Sequence, residues 1–432
     1  MRYPDLLATK RGRLAAFFGL YLAEGLPHGF TQTAVVKQMS DQGLDEARVS
    51  AFAALILLPW MCKWAVAPFV DVVSSEKWGR RRVWIVGTQC LMTATLIVAL
   101  PVELSAELKC FTFLMLLLNF FSATQDVAID ALACGVLKEE ERGLANGLMY
   151  AGAFAGAAVG GSGALLVVAW LGFQPAFVFV AACILVITLL VALPLREKPE
   201  SPRPKPAGSP CAAALAEIRQ FVVDAARAFF GTRAAFVGMV FALLPHGAFA
   251  LSLPIRITLA TRLGMDKSTV AVLEGIVGTV NGVACVVGGY LSDRFGRKRM
   301  LALYLVGTAV PTLGLAAVLQ TSQWETPGDP AAAVGGSLLI ALWAAMLVYA
   351  VFQGLMYGTR IALFMDITTP AVAATQFTAY MSLLNVTISY STVWTGYAAK
   401  NWGYPLTLSL DAVLGLLCIA LLPLMSMRPR EE

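Results

Sequence analysis

Long apolar runs alternate with short polar segments along most of the chain, and each run is about as long as a bilayer is thick. A helix rises 1.5 Å per residue, so roughly 20 apolar residues are needed to cross about 30 Å of hydrocarbon. The pattern therefore predicts about twelve membrane helices, called spans 1 to 12 below. They are predicted near residues 14–36, 49–70, 83–101, 111–133, 143–169, 173–194, 234–255, 269–291, 300–319, 335–359, 372–397 and 405–425.

One polar segment divides these spans into six and six. Residues 196–210 are rich in proline and charge, which predicts an extended linker. Residues 212–230 then place their apolar positions along one side of a helix, which predicts an interfacial helix on the inner leaflet, with a partner-binding helix as the alternative. The predicted organisation is a six-helix bundle over 1–195, a cytoplasmic linker with an interfacial helix over 196–232, and a second six-helix bundle over 233–432.

Composition agrees with a chain embedded in lipid. Hydrophobic residues make up 58% and charged residues 14%, against roughly 45–50% and about 25% in soluble domains. Nucleic-acid binding and soluble catalysis are therefore disfavoured. The 8 cysteines are scattered without a C-x-x-C pair, so we expect no metal site. Nucleotide-binding and hydrolase motifs are absent from the sequence, so we expect no cofactor, no enzymatic activity and no process driven by nucleotide hydrolysis.

Basic residues indicate how the spans are oriented. Most of the 32 Lys and Arg residues fall in the segments that are cytoplasmic if the N-terminus lies inside. Cytoplasmic segments carry such an excess in membrane proteins. We expect a multi-pass protein of the inner membrane with both termini in the cytoplasm, and we expect it to be a monomer in the lipid bilayer.

The two halves of the chain repeat each other. Leu-Pro-His-Gly occurs at residues 26–29 in span 1 and again at 244–247 in span 7, and these segments hold the two histidines of the sequence. The loop after span 2 runs from Asp71 to Gly-Arg-Arg-Arg, and the loop after span 8 reads Asp-Arg-Phe-Gly-Arg-Lys-Arg from Asp293. Two six-helix repeats are typical of transporters that work by alternating access.

The second of these loops resembles a known signature. Residues 289–298 read GYLSDRFGRK, which is similar to the loop motif G-x-x-x-D-R-x-G-R-K of the major facilitator superfamily. The resemblance implies an all-α membrane fold with about twelve helices in two six-helix repeats. A short loop of this kind can latch helix bundles in one state and release them in the other; the alternative is that its charges only anchor the loop inside. The predicted latch residues are Asp71, Gly79, Arg80, Arg81, Arg82, Asp130, Arg142, Gly289, Asp293, Arg294, Gly296, Arg297 and Lys298.

Other segments resemble a narrower family. GLP from Gly25, LPW from Leu58, ATQDVAID from Ala123, ERG from Glu141 and AATQF from Ala373 look like the AmpG muropeptide permeases. That family is similar to acetyl-CoA transporters and siderophore permeases. The resemblance implies proton-coupled import of a bulky polar solute, so a small molecule and protons are the expected partners. Efflux by the same fold, or a receptor that does not transport, are the alternatives.

Charged side chains inside the spans are functional candidates, because each costs about 2.5–3.5 kcal/mol to insert. Glu24 and His28 lie four residues apart on span 1 and share a face. They predict either a proton carrier or a fixed pair that steadies the helix. His246 occupies the matching place in span 7 and is a weaker candidate.

Asp126 and Asp130 lie one turn apart in span 4. Two buried carboxylates so close repel, so at least one of them is expected to be protonated or paired with a cation. Asp130 is predicted to pair with one of the three loop arginines that follow span 2. Asp126 is the better proton or substrate site, with Lys63 of span 2 as its counter-ion; alternatively, Lys63 and Trp60 bind an anionic or aromatic group of the solute.

Near the inner end of span 10, Arg360 and Asp366 are predicted to latch the second half, with substrate binding as the alternative for Arg360. Glu274 in span 8 has no partner evident in the sequence. The full set of substrate or proton candidates is Glu24, His28, Trp60, Lys63, Gln125, Asp126, His246 and Arg360.

Overall fold

The computed structural model describes residues 5–44, 46–72, 79–104, 106–197, 219, 223–252, 255–265, 267–322, 336–369 and 372–425. Regular secondary structure within these residues is helical, and no strand occurs among them. The predicted all-α class is confirmed. Most of the predicted linker, including residues 198–218, lies outside the described residues.

The described α-helices are numbered in chain order. They are α1 Lys10–Gly29, α2 Val36–Asp41, α3 Glu46–Leu55, α4 Leu58–Cys62, α5 Ala67–Val72, α6 Arg82–Ala99, α7 Leu108–Val136, α8 Arg142–Ala158, α9 Ala164–Leu171, α10 Phe173–Ile187, α11 Val223–Phe230, α12 Arg233–Leu243, α13 Ile255–Arg262, α14 Lys267–Phe295, α15 Arg297–Thr321, α16 Gly336–Ile367, α17 Ala373–Trp402 and α18 Tyr404–Leu416. Short π-helical turns join α1 to α2 and α8 to α9.

Eight helical segments in the described part of the chain are long and apolar enough to cross a membrane. They match predicted spans 3, 4, 5, 6, 8, 9, 10 and 12, and the structure is consistent with about twelve helices. Spans 2 and 7 are missing from this set because each is broken, and spans 1 and 11 form α1 and α17 but carry more polar residues. The candidates Glu24, His28, Lys63 and His246 lie in spans 1, 2 and 7.

Close backbone packing holds α1 against α8. A Cβ atom added at Gly25 would lie 2.2 Å from the carbonyl oxygen of Ala153, and one at Gly29 would lie 2.1 Å from that of Ala157. On the α8 side, a Cβ at Gly156 would lie 2.2 Å from the Leu22 oxygen. The two helices therefore touch through their backbones, as small residues at helix interfaces permit.

Span 2 is broken near its middle. The helix α3 ends at Leu55, α4 covers Leu58–Cys62, and a 3-10 turn over Lys63–Ala65 precedes α5. Pro59 lies in the first turn of α4, a position where the missing amide hydrogen costs little. The tight turn brings Lys63 into the interior, where its side chain is buried.

Span 7 is broken more completely. Between α12 and a 3-10 turn at Ala250–Ser252, residues 244–249 are not helical, and Gly247 has a φ of +70°, a conformation that favours glycine. The freed backbone groups find partners on other helices. The Ala248 amide donates to Thr308 Oγ1 (3.1 Å), and the Ala250 amide donates to the Asp411 carboxylate (2.8 Å). A broken helix is tolerated in a membrane only when its backbone is satisfied in this way.

The chain forms two compact units. Unit 1 contains Met1–Lys138, Leu148–Gly231 and Thr368–Ser382, and unit 2 contains Glu139–Gly147, Thr232–Ile367 and Leu383–Glu432. The main division falls one residue before the predicted start of the second bundle at 233. The predicted bundles did not anticipate that each unit takes a short segment from the other half of the sequence.

Each unit has its own apolar core. In unit 1, Phe177 packs edge to face against Phe30, at 4.9 Å between ring centroids, and against Phe173, at 5.1 Å. In unit 2, Phe249 of the broken segment lies in a cluster with Leu259 and Tyr349. Aromatic pairs of this geometry stabilise a core beyond the area they bury, so the polar sites are set into well-packed surroundings.

Candidate functional site

A cluster of ionisable side chains lies inside unit 1. Lys63 Nζ forms an ion pair with Asp126, and the two side chains are 8% and 5% exposed. One turn further along α7, Asp130 accepts a hydrogen bond from the hydroxyl of Tyr21. Glu24 interacts electrostatically with the ion pair and with Asp130, and its Oε2 atom is buried without a hydrogen-bond partner. These five residues are called the carboxylate cluster below.

Three helical segments position the carboxylate cluster. Tyr21 and Glu24 lie three residues apart on α1, which α8 holds in place through glycine contacts. Asp126 and Asp130 share a face of α7, and the break in span 2 directs Lys63 toward them. Three carboxylates around one ammonium leave an excess of negative charge, which a bound proton would reduce. The arrangement is suited to taking up and releasing a proton.

A second polar group lies nearby on the same helices. Trp60 Nε1 donates to Asn119 Oδ1 (3.4 Å), and Asn119 Nδ2 donates to Thr31 Oγ1 (3.3 Å). The His28 ring meets the Trp60 ring edge to face at 6.1 Å. His28 therefore packs on Trp60, and no hydrogen bond joins it to Glu24 in the described part of the chain, so the predicted Glu24–His28 pair is not formed.

Gln125 and Asp130 are two further candidates in span 4. Gln125 is fully buried, and its Nε2 donates to the Leu20 carbonyl (3.3 Å). Its Oε1 has no hydrogen-bond partner. The prediction that Asp130 pairs with Arg80, Arg81 or Arg82 is wrong: Asp130 bonds to Tyr21 instead. A side chain one turn from Asp126 faces the same interior as Asp126, and the loop arginines lie elsewhere.

The loop after span 2 brings an aspartate to the start of a distant helix. Asp71 is fully buried, and Arg81 Nη2 donates to its carboxylate at 2.6 Å. The same carboxylate accepts from the Thr375 amide (2.8 Å), the Thr375 hydroxyl (3.0 Å) and the Ala374 amide (3.3 Å). Because Ala374 and Thr375 open α17, Asp71 places a negative charge at a helix N-terminus, where free amides and the helix dipole favour it.

The loop after span 8 repeats this arrangement in unit 2. Asp293 accepts hydrogen bonds from the amides of Gly143 (2.9 Å) and Leu144 (2.8 Å) at the start of α8. A Cβ added at Gly143 would lie 2.4 Å from the Gly289 carbonyl oxygen, so both glycines are needed for this approach. Arg297 Nη2 donates to Asp293 at 2.9 Å. The two aspartates of the repeated loops therefore cap two helices in the same way.

A buried ion-pair group completes the unit 2 loop. Asp366 accepts from Arg142 Nη1 at 2.9 Å, and it also pairs with Arg297. Asp366, Arg142 and Arg297 thus lie together as a latch group, as the sequence predicted for Asp366. Arg297 additionally donates to the carbonyl of Glu139. A carboxylate held by two guanidinium groups gives strong charge-assisted bonds.

The remaining predicted latch residues have smaller parts. Gly79 and Gly296 adopt φ values of +90° and +93°, which explains a glycine at each place. Arg80 donates to the Asp71 carbonyl, and Arg82 donates to the Leu193 carbonyl. The guanidinium of Arg294 stacks on Phe295, and neither Arg294 nor Lys298 makes an ion pair in the described ranges.

Outside the membrane spans, Glu197 supports the first loop. Its carboxylate accepts from the Arg81 amide at 2.9 Å. Burial raises the pKa of Glu197, while the hydrogen bonds from Arg81 and Arg82 oppose that rise. Glu197 directly follows Arg196, at the start of the predicted linker, and nothing in the sequence pattern indicated that it would reach Arg81.

Sequence reasoning also missed partners for three charged residues. Arg256 donates to both carboxylate oxygens of Glu274, at 2.8 Å through its Nε. Asp411 is buried in α18 and accepts from the broken segment of span 7. Asp411 could have been found by the rule that an acid within a span has a function, whereas the Arg256–Glu274 pair depends on how two distant segments pack.

Two candidates lie together in unit 2. Arg360 is 3% exposed, and its guanidinium stacks on the Tyr357 ring at 4.9 Å. No carboxylate in the described ranges pairs with it, so the predicted latch contact for Arg360 is not formed. His246 is 1% exposed between Phe241 and Phe249, and neither of its ring nitrogens has a hydrogen-bond partner.

Known proteins share this architecture. The chain is 26% identical over 376 residues to a protein of Escherichia coli K12 named anhydromuropeptide permease, which covers 86% of this chain and 71% of the relative. It is 30% identical over 196 residues to a Rickettsia conorii protein named putative transporter AmpG 4, covering 43% and 47% of the two chains. These likenesses agree with the resemblance read from the motifs.

Solved structures show the same fold at low identity. The proton:xylose symporter XylE superposes with a TM-score of 0.69 at 15% identity, covering 95% of each chain. A bacterial homologue of the iron transporter ferroportin superposes with a TM-score of 0.69 at 10% identity, covering 95% of this chain and 98% of that one. The family model described as Major Facilitator Superfamily matches residues 14–389 and 235–432. The chain belongs to the major facilitator superfamily, a family of multi-pass membrane transporters.

Proposed function

We propose that this chain imports a bulky polar solute of the anhydromuropeptide class together with protons, by alternating access across the inner membrane. The carboxylate cluster is the observation that carries the proposal. It places three acids and one lysine within unit 1, of which Asp126, Asp130 and Lys63 are buried and Glu24 is partly buried, and ionised groups in such places are costly and persist when they have a function. The name of the Escherichia coli relative supports the solute class.

In the proposed cycle, a proton enters at Glu24 or Asp126. Glu24 has a buried oxygen without a partner, so it can accept a proton without first breaking a hydrogen bond at that atom. Protonation of Asp126 removes the charge that Lys63 neutralises and loosens the ion pair. A change in the attraction between α7 and the turn that holds Lys63 would then link proton uptake to helix movement.

The two aspartate caps are the proposed latches. Asp71 and Asp293 each hold the start of a helix from the other half of the sequence, through three hydrogen bonds and two hydrogen bonds respectively. Each such bond contributes about 0.5–1.5 kcal/mol net, and somewhat more when the acceptor is charged. Releasing both latches would cost several kcal/mol, which differential binding of solute and proton must offset.

Uptake into proteoliposomes tests the proton coupling. Vesicles that are acidic outside should accumulate a labelled anhydromuropeptide, and a protonophore should abolish the accumulation. One pH unit supplies about 1.4 kcal/mol per proton, enough for about tenfold accumulation of a neutral solute. Accumulation that is indifferent to the protonophore would contradict coupling, and export under the same gradient would favour efflux.

A single substitution tests the cluster itself. Asp126→Asn should abolish accumulation but leave counterflow of labelled solute intact, because counterflow needs binding and helix movement but no net proton transfer. Asp41→Asn is the matched control, since Asp41 is half-exposed and pairs with Lys37 four residues away. Unchanged accumulation in Asp126→Asn would remove Asp126 from the proton pathway. Solute binding without any flux would favour a receptor.

A further inference from the structure

Arg360 is a buried cation that no carboxylate neutralises among the residues the structure describes. It is 3% exposed, its Nε has no hydrogen-bond partner, and its guanidinium contacts the face of Tyr357. The nearest acid along α16, Asp366, lies six residues on, about 9 Å along the helix axis, and is already engaged by Arg142 and Arg297. An ionised group in such surroundings is expensive unless something of opposite charge reaches it.

Three other groups that interact with Arg360 carry no carboxylate. They are His246, Cys285 and Cys418, each within electrostatic range of the guanidinium. Cys285 and Cys418 are buried free thiols. The surroundings therefore offer polar atoms but no counter-ion in the part of the chain that the structure describes.

His246 adds an unused hydrogen-bonding group beside Arg360. Its ring lies close to the backbone of Phe241, but neither buried ring nitrogen makes a hydrogen bond of good geometry, although buried polar groups are almost always hydrogen-bonded. It belongs to residues 244–249, the non-helical segment of span 7. Interrupted helices in transporters commonly contribute to solute sites, and His246 of this interruption interacts electrostatically with Arg360.

We propose that Arg360 and His246 bind a carboxylate of the transported solute, Arg360 by a charge-assisted pair and His246 by a hydrogen bond. One guanidinium matches one negative charge. A phosphate, with more charge at neutral pH, would need further cations, and none lies nearby in the described residues. This inference rests on the proposed transport function and adds that the anion site lies in unit 2, apart from the carboxylate cluster of unit 1.

The first test needs no solute. If Arg360 serves to bind an anion, its uncompensated charge destabilises the protein when no solute is bound. Arg360→Met should therefore melt at the same temperature as the wild type or higher. Arg297→Met is the matched control and should melt lower, because it leaves Asp293 and Asp366 each with one partner fewer. A clear fall in melting temperature for Arg360→Met would show a structural cation and overturn the proposal.

The second test asks whether the site recognises charge. Purified protein is titrated with an anhydromuropeptide and with the same compound whose carboxylates are converted to primary amides. The wild type should bind the acid at least about tenfold more tightly, as expected for a buried charge-assisted pair. Arg360→Gln should bind both compounds with the affinity that the wild type has for the amide, Arg360→Lys should keep part of the preference, and His246→Phe should lose a smaller part.

The outcomes separate this proposal from the proposed function. A wild type without preference for the acid, or an Arg360→Gln variant that keeps the full preference, overturns the anion site, and proton-driven uptake can still be observed. Conversely, Asp126→Asn should retain the acid preference while it loses accumulation. If inorganic phosphate competes as strongly as the acid, the proposal that the site binds a carboxylate is wrong.

Discussion

The tetrapeptide Leu-Pro-His-Gly has two conformations in this protein. Residues 26–29 are helical at the end of α1, whereas residues 244–247 are non-helical between α12 and a 3-10 turn. The four amino acids are identical, so their intrinsic preferences cannot account for the difference. The neighbours decide it, because tertiary contacts override local propensity.

Around the first copy, the surroundings favour a continuous helix. Gly25 and Gly29 press α1 onto the backbone of α8, which leaves no room for the chain to bulge outward on that side. Thr31 Oγ1 donates to the Pro27 carbonyl at 2.8 Å, and the helix continues through a π-helical turn at Phe30–Val35. A proline inside a helix is tolerated when nearby groups satisfy the backbone.

Around the second copy, the surroundings favour a break. Thr308 and Asp411 accept hydrogen bonds from the freed amides of Ala248 and Ala250, and the Tyr349 hydroxyl donates to the Ala248 carbonyl at 2.7 Å. Unit 1 therefore keeps α1 continuous where it carries Tyr21 and Glu24 of the carboxylate cluster, and unit 2 opens span 7 at His246. The same sequence motif serves two kinds of site.

The largest loss of stability is expected at Gly29, in the helical copy of the tetrapeptide, where α1 touches α8. Gly29→Ala places a Cβ atom 2.1 Å from the backbone oxygen of Ala157, and backbone cannot move aside as a flexible side chain can. We expect a loss of about 3 kcal/mol, near the upper end for overpacking, seen as a lower melting temperature in detergent. Gly87→Ala is the control, since nothing lies within 4 Å of its added Cβ. Equal melting temperatures of the two variants would mean that the α1–α8 contact does not keep residues 26–29 helical.

Substituting the hydrogen-bond partners of the non-helical segment of span 7 should lower the stability somewhat less. Asp411→Leu leaves the Ala250 amide buried without an acceptor, which costs about 1–3 kcal/mol. Asp411→Asn keeps an acceptor and should lose about half as much. Thermal melting and hydrogen exchange at residues 244–250 measure both variants. If Asp411→Leu melts like Asp411→Asn, the carboxylate does not support the break.

The smallest effect is expected from the prolines themselves. Pro245→Ala should leave residues 244–249 non-helical, and Pro27→Ala should leave residues 26–29 helical, with changes in stability of about 1 kcal/mol or less. Hydrogen exchange by mass spectrometry distinguishes a protected helix from an open segment. Strong new protection at 244–249 in Pro245→Ala would show that the proline, and not its neighbours, causes the break.

Much of the fold could be predicted from the sequence because its causes are local. Apolar runs of membrane length indicate spans such as α7 and α16, and the charged loop after span 8 indicated that Asp293 and Arg297 act in one latch. The Lys63–Asp126 pair followed from the cost of isolated charges in lipid. These inferences needed only composition, spacing and the electrostatics of a bilayer.

The incorrect predictions of side-chain partners share another cause. Asp130 was assigned to the loop arginines, but it bonds to Tyr21; His28 was assigned to Glu24, but it packs on Trp60. In both cases the residue lay on the expected helix, and the choice among partners depended on how helices rotate against one another. Residue spacing along a single helix carries no information about that rotation.

Asp71 also has a consequence for the growing chain. Its carboxylate is completed by the amide of Thr375, 304 residues later. At about 5–20 residues per second, the ribosome needs roughly 15–60 seconds to make that partner. During this interval Asp71 has no helix to cap, whereas Arg80 and Arg81, 9 and 10 residues downstream, which both pair with it in the folded protein, are already made. A buried charge that awaits a distant helix therefore has nearby counter-ions almost from the start of its synthesis.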